Sequence, residues 1–154
     1  MYCLRIFFCF GRFRARLTTK TTTNRYRAPE LLLSTKQYHT PIDMWSVGCI
    51  FAELLRKVPL FSAKTEIDLL RQIVATLGPP QEGKFPDQAN KNFTFSKFKS
   101  KEGLLRGMFP REQAIQTTGY YLSNTGFDLL RSFLDYDPKT RINADQALRH
   151  PYVV

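Results

Sequence analysis

Residues 40–57, TPIDMWSVGCIFAELLRK, constrain the fold more than any other stretch of the chain. Ile42, Met44, Trp45, Val47, Cys49, Ile50, Phe51, Leu54 and Leu55 point in nearly every direction when projected at about 100° per residue. No wide polar stripe is left. A helix apolar all round belongs in a protein core or in a membrane. A membrane span needs ~20 apolar residues, and here Asp43, Glu53, Arg56 and Lys57 charge both ends. The stretch therefore reads as a central core helix. Thr40 stands at the N-cap position, Pro41 suits the first turn, and Asp43 complements the positive end of the helix dipole. Such a helix demands partners on every side.

The neighbouring segments supply some of them. Arg25-Tyr26-Arg27-Ala28-Pro29-Glu30 leads into Leu31-Leu32-Leu33, an apolar helical turn, and residues 34–39 form a polar connection to the central helix. Beyond it, Val58-Pro59-Leu60-Phe61 turns the chain. Thr65 then caps a second helix in which Ile67, Leu70, Val74 and Leu77 recur at helical spacing, and Gly78-Pro79-Pro80 ends it. From 81 to 122 the pattern weakens. Lysines alternate with phenylalanines there, only 103–109 reads as a helical turn, and the rest reads as an irregular insertion pinned to the core by its phenylalanines. Ser123-Asn124 opens a further helix with Phe127, Leu130, Phe133 and Leu134, stopped by Asp137-Pro138. Asn143 and Gln146 have capping-box spacing for a last short helix, with Ala147 and Leu148 inward and Pro151 closing it. The expected fold is mainly α with long loops.

The net charge of +10 is unevenly spread, because Arg5, Arg12, Arg14, Arg16, Lys20, Arg25 and Arg27 all precede the first acid, Glu30. A cluster of this kind suits nucleic acid, an acidic membrane surface or phosphate groups, and it is equally compatible with a solvated basic segment. Residues 1–17 are basic and aromatic, lack a clear period, and read as separate from the fold that follows. Arg5 and Arg12 hem in their apolar run too closely for a secretory signal. Cys3, Cys9 and Cys49 form no CxxC pair, so neither a disulfide framework nor a zinc site is indicated. Cys49 reads as a small buried hydrophobe. A nuclear or cytoplasmic protein fits, and a secreted one does not.

Taken together, Tyr26-Arg27-Ala28-Pro29-Glu30, the Asp43-Met44-Trp45-Ser46-Val47-Gly48-Cys49 run, Asp137-Pro138 with Arg141, and His150-Pro151-Tyr152 resemble a protein kinase from its Ala-Pro-Glu signature onward. The YRAPE form and the long insertion are similar to the cyclin-dependent (CMGC) branch. Within that branch LFSAKTEIDLL and LSNTGFDLL look most like the PITSLRE-type kinases. The resemblance covers 18–154 and implies part of the C-terminal, large lobe of the kinase fold. It also implies roles. Glu30 and Arg141 would form a buried ion pair tying the end of the activation segment to the helical base. Asp43 would accept hydrogen bonds from the catalytic loop, besides its place at the helix start. Thr23 and Arg27 would belong to the loop that receives the substrate, Arg27 shaping the site for the residue after the phosphoacceptor. Thr18 is the candidate phosphosite. Arg25 stands where the family usually has an aromatic residue, and Thr21-Thr22 replace small apolar ones; both departures weigh against proline-directed specificity.

The resemblance also defines what these 154 residues do not contain. There is no G-x-G-x-x-G loop, no V-A-I-K lysine, no H-R-D-L-x-x-x-N catalytic loop and no Asp-Phe-Gly. Cys9-Phe10-Gly11 puts a soft thiol where magnesium wants hard oxygen. The expectation is an incomplete kinase lobe, inactive by itself, with no catalytic, cofactor or metal residues of its own. ATP, magnesium, protein Ser/Thr substrates and a cyclin-type regulator would belong to the full-length family. A non-catalytic binding module is the alternative, and a basic nucleic-acid-binding protein a lesser one; neither a membrane nor a nucleic-acid partner is expected. Unsupported on one side, the central helix should expose an apolar patch around Trp45 and Ile50. Each large side chain left wet forfeits roughly 1.5–3 kcal/mol of a domain stability of only ~5–15 kcal/mol. A marginal, aggregation-prone chain is predicted.

Overall fold

The computed structural model describes residues 24–33, 40–81, 103–111 and 119–154. Among them all regular structure is helical. A 3-10 turn, Asn24–Tyr26, leads into α1 (Pro29–Leu32); α2 (Pro41–Arg56), α3 (Glu66–Leu77), α4 (Leu105–Met108), α5 (Asn124–Phe133) and α6 (Ala144–Leu148) follow. The weakly patterned insertion lies largely outside the described residues, as do residues 1–17.

Helix α2 is the axis of the fold, and its packing follows from its composition. Met44, Trp45, Gly48, Cys49 and Ala52 are buried, and Ile42, Val47, Phe51 and Leu55 are half-buried against the core. The main cluster joins Trp45, Cys49 and Ala52 to Leu32 and Leu33 after the first turn, Phe61, Leu69 and Ile73 around α3, and Leu130 and Leu134 of α5. A smaller cluster joins Met44 to Leu129, Phe133 and Ile142. Burial pushes the Cys49 thiol well above its usual range, so it behaves as an inert apolar group.

The α2–α5 crossing depends on one missing side chain. A Cβ on Gly48 would stand 2.6 Å from the Phe133 Cβ and 3.1 Å from a Leu134 methyl. Gly48→Ala is accordingly expected to lower the unfolding free energy by about 1–3 kcal/mol, the usual cost of overpacking, despite alanine's better helix propensity. Urea denaturation of the two proteins checks this, and an equal or higher midpoint for the alanine variant would contradict it.

Local signals fix most helix ends. The Thr65 hydroxyl accepts from the Asp68 N–H at 3.1 Å, and the Ser123 hydroxyl from the Gly126 N–H at 3.1 Å. Asn143 and Gln146 form the full reciprocal box, at 2.9 and 3.0 Å. Gly78 ends α3 at φ 84°, its N–H returning to the Val74 carbonyl, while its own carbonyl accepts from the Tyr136 hydroxyl at 2.7 Å.

The structure corrects four expectations. Thr40 makes no side-chain cap: its backbone is already helical, and its carbonyl takes the Asp43 N–H instead. Trp45 is fully buried, because Phe61 stacks on it at 6.2 Å and Arg141 lies over its ring; the exposed apolar residues of α2 are Ile50 and Leu54, with Val58 just beyond. Ile67 is exposed although it lies within about 20° of the buried Val74 around the helix: the packing that covers Leu69, Leu70, Ile73 and Val74 does not reach the first turn of α3, where Glu66 is exposed as well. Leu148 is also exposed, because α6 is too short to present an inward face and only Ala147 is half-buried there.

Candidate functional site

The residues implicated by sequence gather where the 3-10 turn and α1 meet the N-terminal half of α2. Pro29 restricts the backbone at the head of α1 and places Glu30 facing inward. There the carboxylate receives Arg141, 111 residues later, in a fork: Nη1 donates to Oε1 at 2.7 Å and Nη2 to Oε2 at 2.9 Å. Arg141 Nη1 also donates to the Pro41 carbonyl at 2.7 Å, and Nε to the Asp135 carbonyl at 2.9 Å. Its guanidinium lies 5.2 Å from the Trp45 ring centroid. Both charged side chains are almost wholly buried, at 0% and 5% exposure. A planar donor fork matched to a carboxylate is the geometry that makes such burial tolerable. One guanidinium thus links α1, the start of α2 and the loop between α5 and α6.

A second set of bonds fixes the turn before α1. The Tyr26 hydroxyl donates to Glu53 Oε2 at 2.8 Å, which holds the phenol proton and raises its pKa above the usual value. The Ser46 hydroxyl donates to the Tyr26 carbonyl at 3.0 Å. Arg27 forms an ion pair with Glu66 in the first turn of α3. Sequence reasoning singled out Arg27 but not Glu53, Ser46 or Glu66. Separations of 20 to 39 residues carry no periodic signal, and nothing in an acidic residue on a helix surface announces its partner.

Glu30 and Arg141 are therefore joined, whereas Arg27, three residues before Glu30, is tied to α3, and Asp43 stands in the first turn of α2. The Asp43 side chain is exposed, and among the described residues none of the hydrogen bonds reaches its carboxylate. Thr18, Thr23 and Cys9-Phe10-Gly11 lie outside the described residues. A cavity of about 680 Å³ opens elsewhere, between the end of α3, α4 and α5, lined among others by Arg106, Phe127, Asp128, Arg131 and Asp135; none of the residues implicated by sequence lines it.

A family model for the protein kinase domain matches residues 10–153. This chain belongs to the protein kinase family. Over 137 residues it is 50% identical to cyclin-dependent kinase G-2 of Oryza sativa subsp. indica, a match covering 88% of this chain and 19% of that relative. Over 134 residues it is 45% identical to cyclin-dependent kinase G1 of Arabidopsis thaliana (86% of this chain, 22% of the relative). It is 44% identical over 139 residues to cyclin-dependent kinase 11B of Mus musculus (88% and 16%). The resemblance to the cyclin-dependent branch therefore stands, and the helical array around α2 is part of a protein kinase domain. The chain spans about a fifth of the length of these relatives.

Kinases act on ATP held with magnesium; several of the acidic side chains described here are engaged in other contacts. Glu30 is bound to Arg141, Glu53 to Tyr26, Glu66 to Arg27, and Asp68 to Thr65 and Arg71. Asp135 accepts from Thr140 and from the Asp137 N–H. Among the described residues no three of the His, Cys, Asp and Glu side chains gather as a metal site, and none of their helices is long and apolar enough to cross a membrane.

Proposed function

We propose that this chain is the substrate-side base of a cyclin-dependent-type serine/threonine kinase and that the 154 residues by themselves do not transfer phosphate. The observation carrying this reading is the buried Glu30–Arg141 fork, which joins the Ala-Pro-Glu turn to the helical base in the way the kinase resemblance implies. The identity to cyclin-dependent kinases G and 11B supports the branch. In the complete enzyme Arg27 and Thr23 form the loop that receives the phosphoacceptor segment, and Thr18 is the phosphosite that orders it. Asp43, exposed at the start of α2, anchors the catalytic loop by accepting its backbone N–H groups. ATP, magnesium, protein Ser/Thr substrates and a cyclin-type regulator belong to that longer polypeptide, which acts in the nucleus or cytoplasm.

Calorimetric titration of the purified chain with Mg·ATP, run beside a radiolabel-transfer assay on Ser/Thr peptides, tests the proposal. The expected result is no binding in the roughly micromolar-to-millimolar range usual for enzyme substrates, and no transfer above the no-protein control. Saturable Mg·ATP binding with turnover would overturn it.

A further inference from the structure

We propose that Glu66 is a positioning residue for the substrate loop: it fixes the Arg27 guanidinium from α3 and so sets which residue is accepted after the phosphoacceptor. The inference rests on the reading of Arg27 as a substrate-loop residue. Both ends of the contact are held independently. Arg27 lies between Tyr26, pinned to Glu53 and to Ser46, and Ala28, which is completely buried. Glu66 opens a helix whose entry is fixed by the Thr65 cap and by a reciprocal pair in which the Ser62 N–H donates to Gln72 Oε1 at 2.9 Å and Gln72 Nε2 donates to the Ser62 carbonyl at 3.0 Å. The ion pair thus spans two rigid elements, and the guanidinium has one favoured direction. Its side chain is 21% exposed, and the Glu66 side chain 56%, so the contact sits at the rim of the fold, open to an arriving peptide. Arg25, the departure from the family pattern, is exposed and leaves this pair intact. The preference at stake is the one for proline, which brings no N–H requiring a partner.

The test uses the full chain and Glu66→Gln, with Arg71→Gln as a control that breaks only the exposed Arg71–Asp68 pair on the same helix. Amide hydrogen exchange of residues 25–28 reads positioning. Saturation-transfer NMR with a Ser-Pro peptide and its Ser-Ala counterpart reads acceptance. Glu66→Gln is expected to speed exchange about threefold, in line with a rim ion pair, and to bring the two peptides to equal binding; Arg71→Gln is expected to do neither. The charge swap Arg27→Glu with Glu66→Arg should recover the exchange protection but not the peptide preference, since the guanidinium then projects from α3. Unchanged exchange in Glu66→Gln would overturn the positioning role. A preference surviving in Glu66→Gln would overturn the role in acceptance. No preference in the unmodified chain would instead overturn the substrate-loop reading of Arg27, while the exchange arm still decides the positioning.

Discussion

Arg141→Ala is expected to lower the unfolding free energy by about 3–5 kcal/mol, the usual cost of stranding one charge of a buried pair. The expectation follows from the bonds that the guanidinium makes. Glu30 is buried and would lose both donors of its fork, and the carbonyls of Pro41 and Asp135 would lose the donors that Arg141 gives them. The face of Trp45 would lose its cation as well. Against a typical stability of ~5–15 kcal/mol this leaves a chain near its folding threshold. Replacing both members, Glu30→Leu with Arg141→Met, should cost clearly less than Arg141→Ala, because no buried carboxylate is then left to lose the two donors of the fork; the Pro41 and Asp135 carbonyls account for the remaining loss. The chain has a single tryptophan, and it is the buried Trp45, so its fluorescence reports the transition directly. A loss under about 1 kcal/mol for Arg141→Ala would be the value of an exposed pair and would sink the account of this junction.

Trp45→Ala should cost a comparable ~3–5 kcal/mol for a different reason, the cavity left by a large buried ring. Trp45 has no exposed surface, stacks on Phe61 with 11° between the ring planes, and supports Arg141 on its other contact. Its loss removes packing from the main core cluster and one wall of the charged junction together. Trp45→Phe makes a sharper comparison. Among the described residues the buried indole Nε1–H meets no hydrogen-bond partner, so phenylalanine removes a donor unsatisfied there while it gives up ring volume. The expected net cost is about 1–2 kcal/mol, well below that of alanine. Thermal unfolding followed by circular dichroism measures both variants. Equal losses for phenylalanine and alanine would show that the ring's packing on Phe61 is not what Trp45 contributes.

The behaviour of α2 shows how far a linear reading reaches. An all-round apolar pattern implied a core helix, and most of its apolar residues are buried or half-buried. The pattern could not say which side would remain open. Trp45 is covered by Phe61 and Arg141, which lie 16 and 96 positions further along, whereas Ile50 and Leu54 stay exposed. The same division runs through α3. Thr65 and Gly78-Pro79-Pro80 bound it as local chemistry requires, but Ile67 stays exposed on the side that buries Val74, because how far along a helix its stripe is covered depends on the packing it meets.

Local rules thus determined the helix positions, the Thr65, Ser123 and Asn143 caps, and the order of motifs that marks a kinase lobe, because each depends on residues within a few positions of one another. Only the tertiary structure decided that Tyr26 meets Glu53, that Arg27 meets Glu66, and that Arg141 also takes the carbonyls of Pro41 and Asp135. Apart from the Asp135 contact, six residues from Arg141, those contacts join positions 27 to 100 residues apart, and an ionised side chain shows its sign but not its partner until packing brings the two within hydrogen-bonding distance.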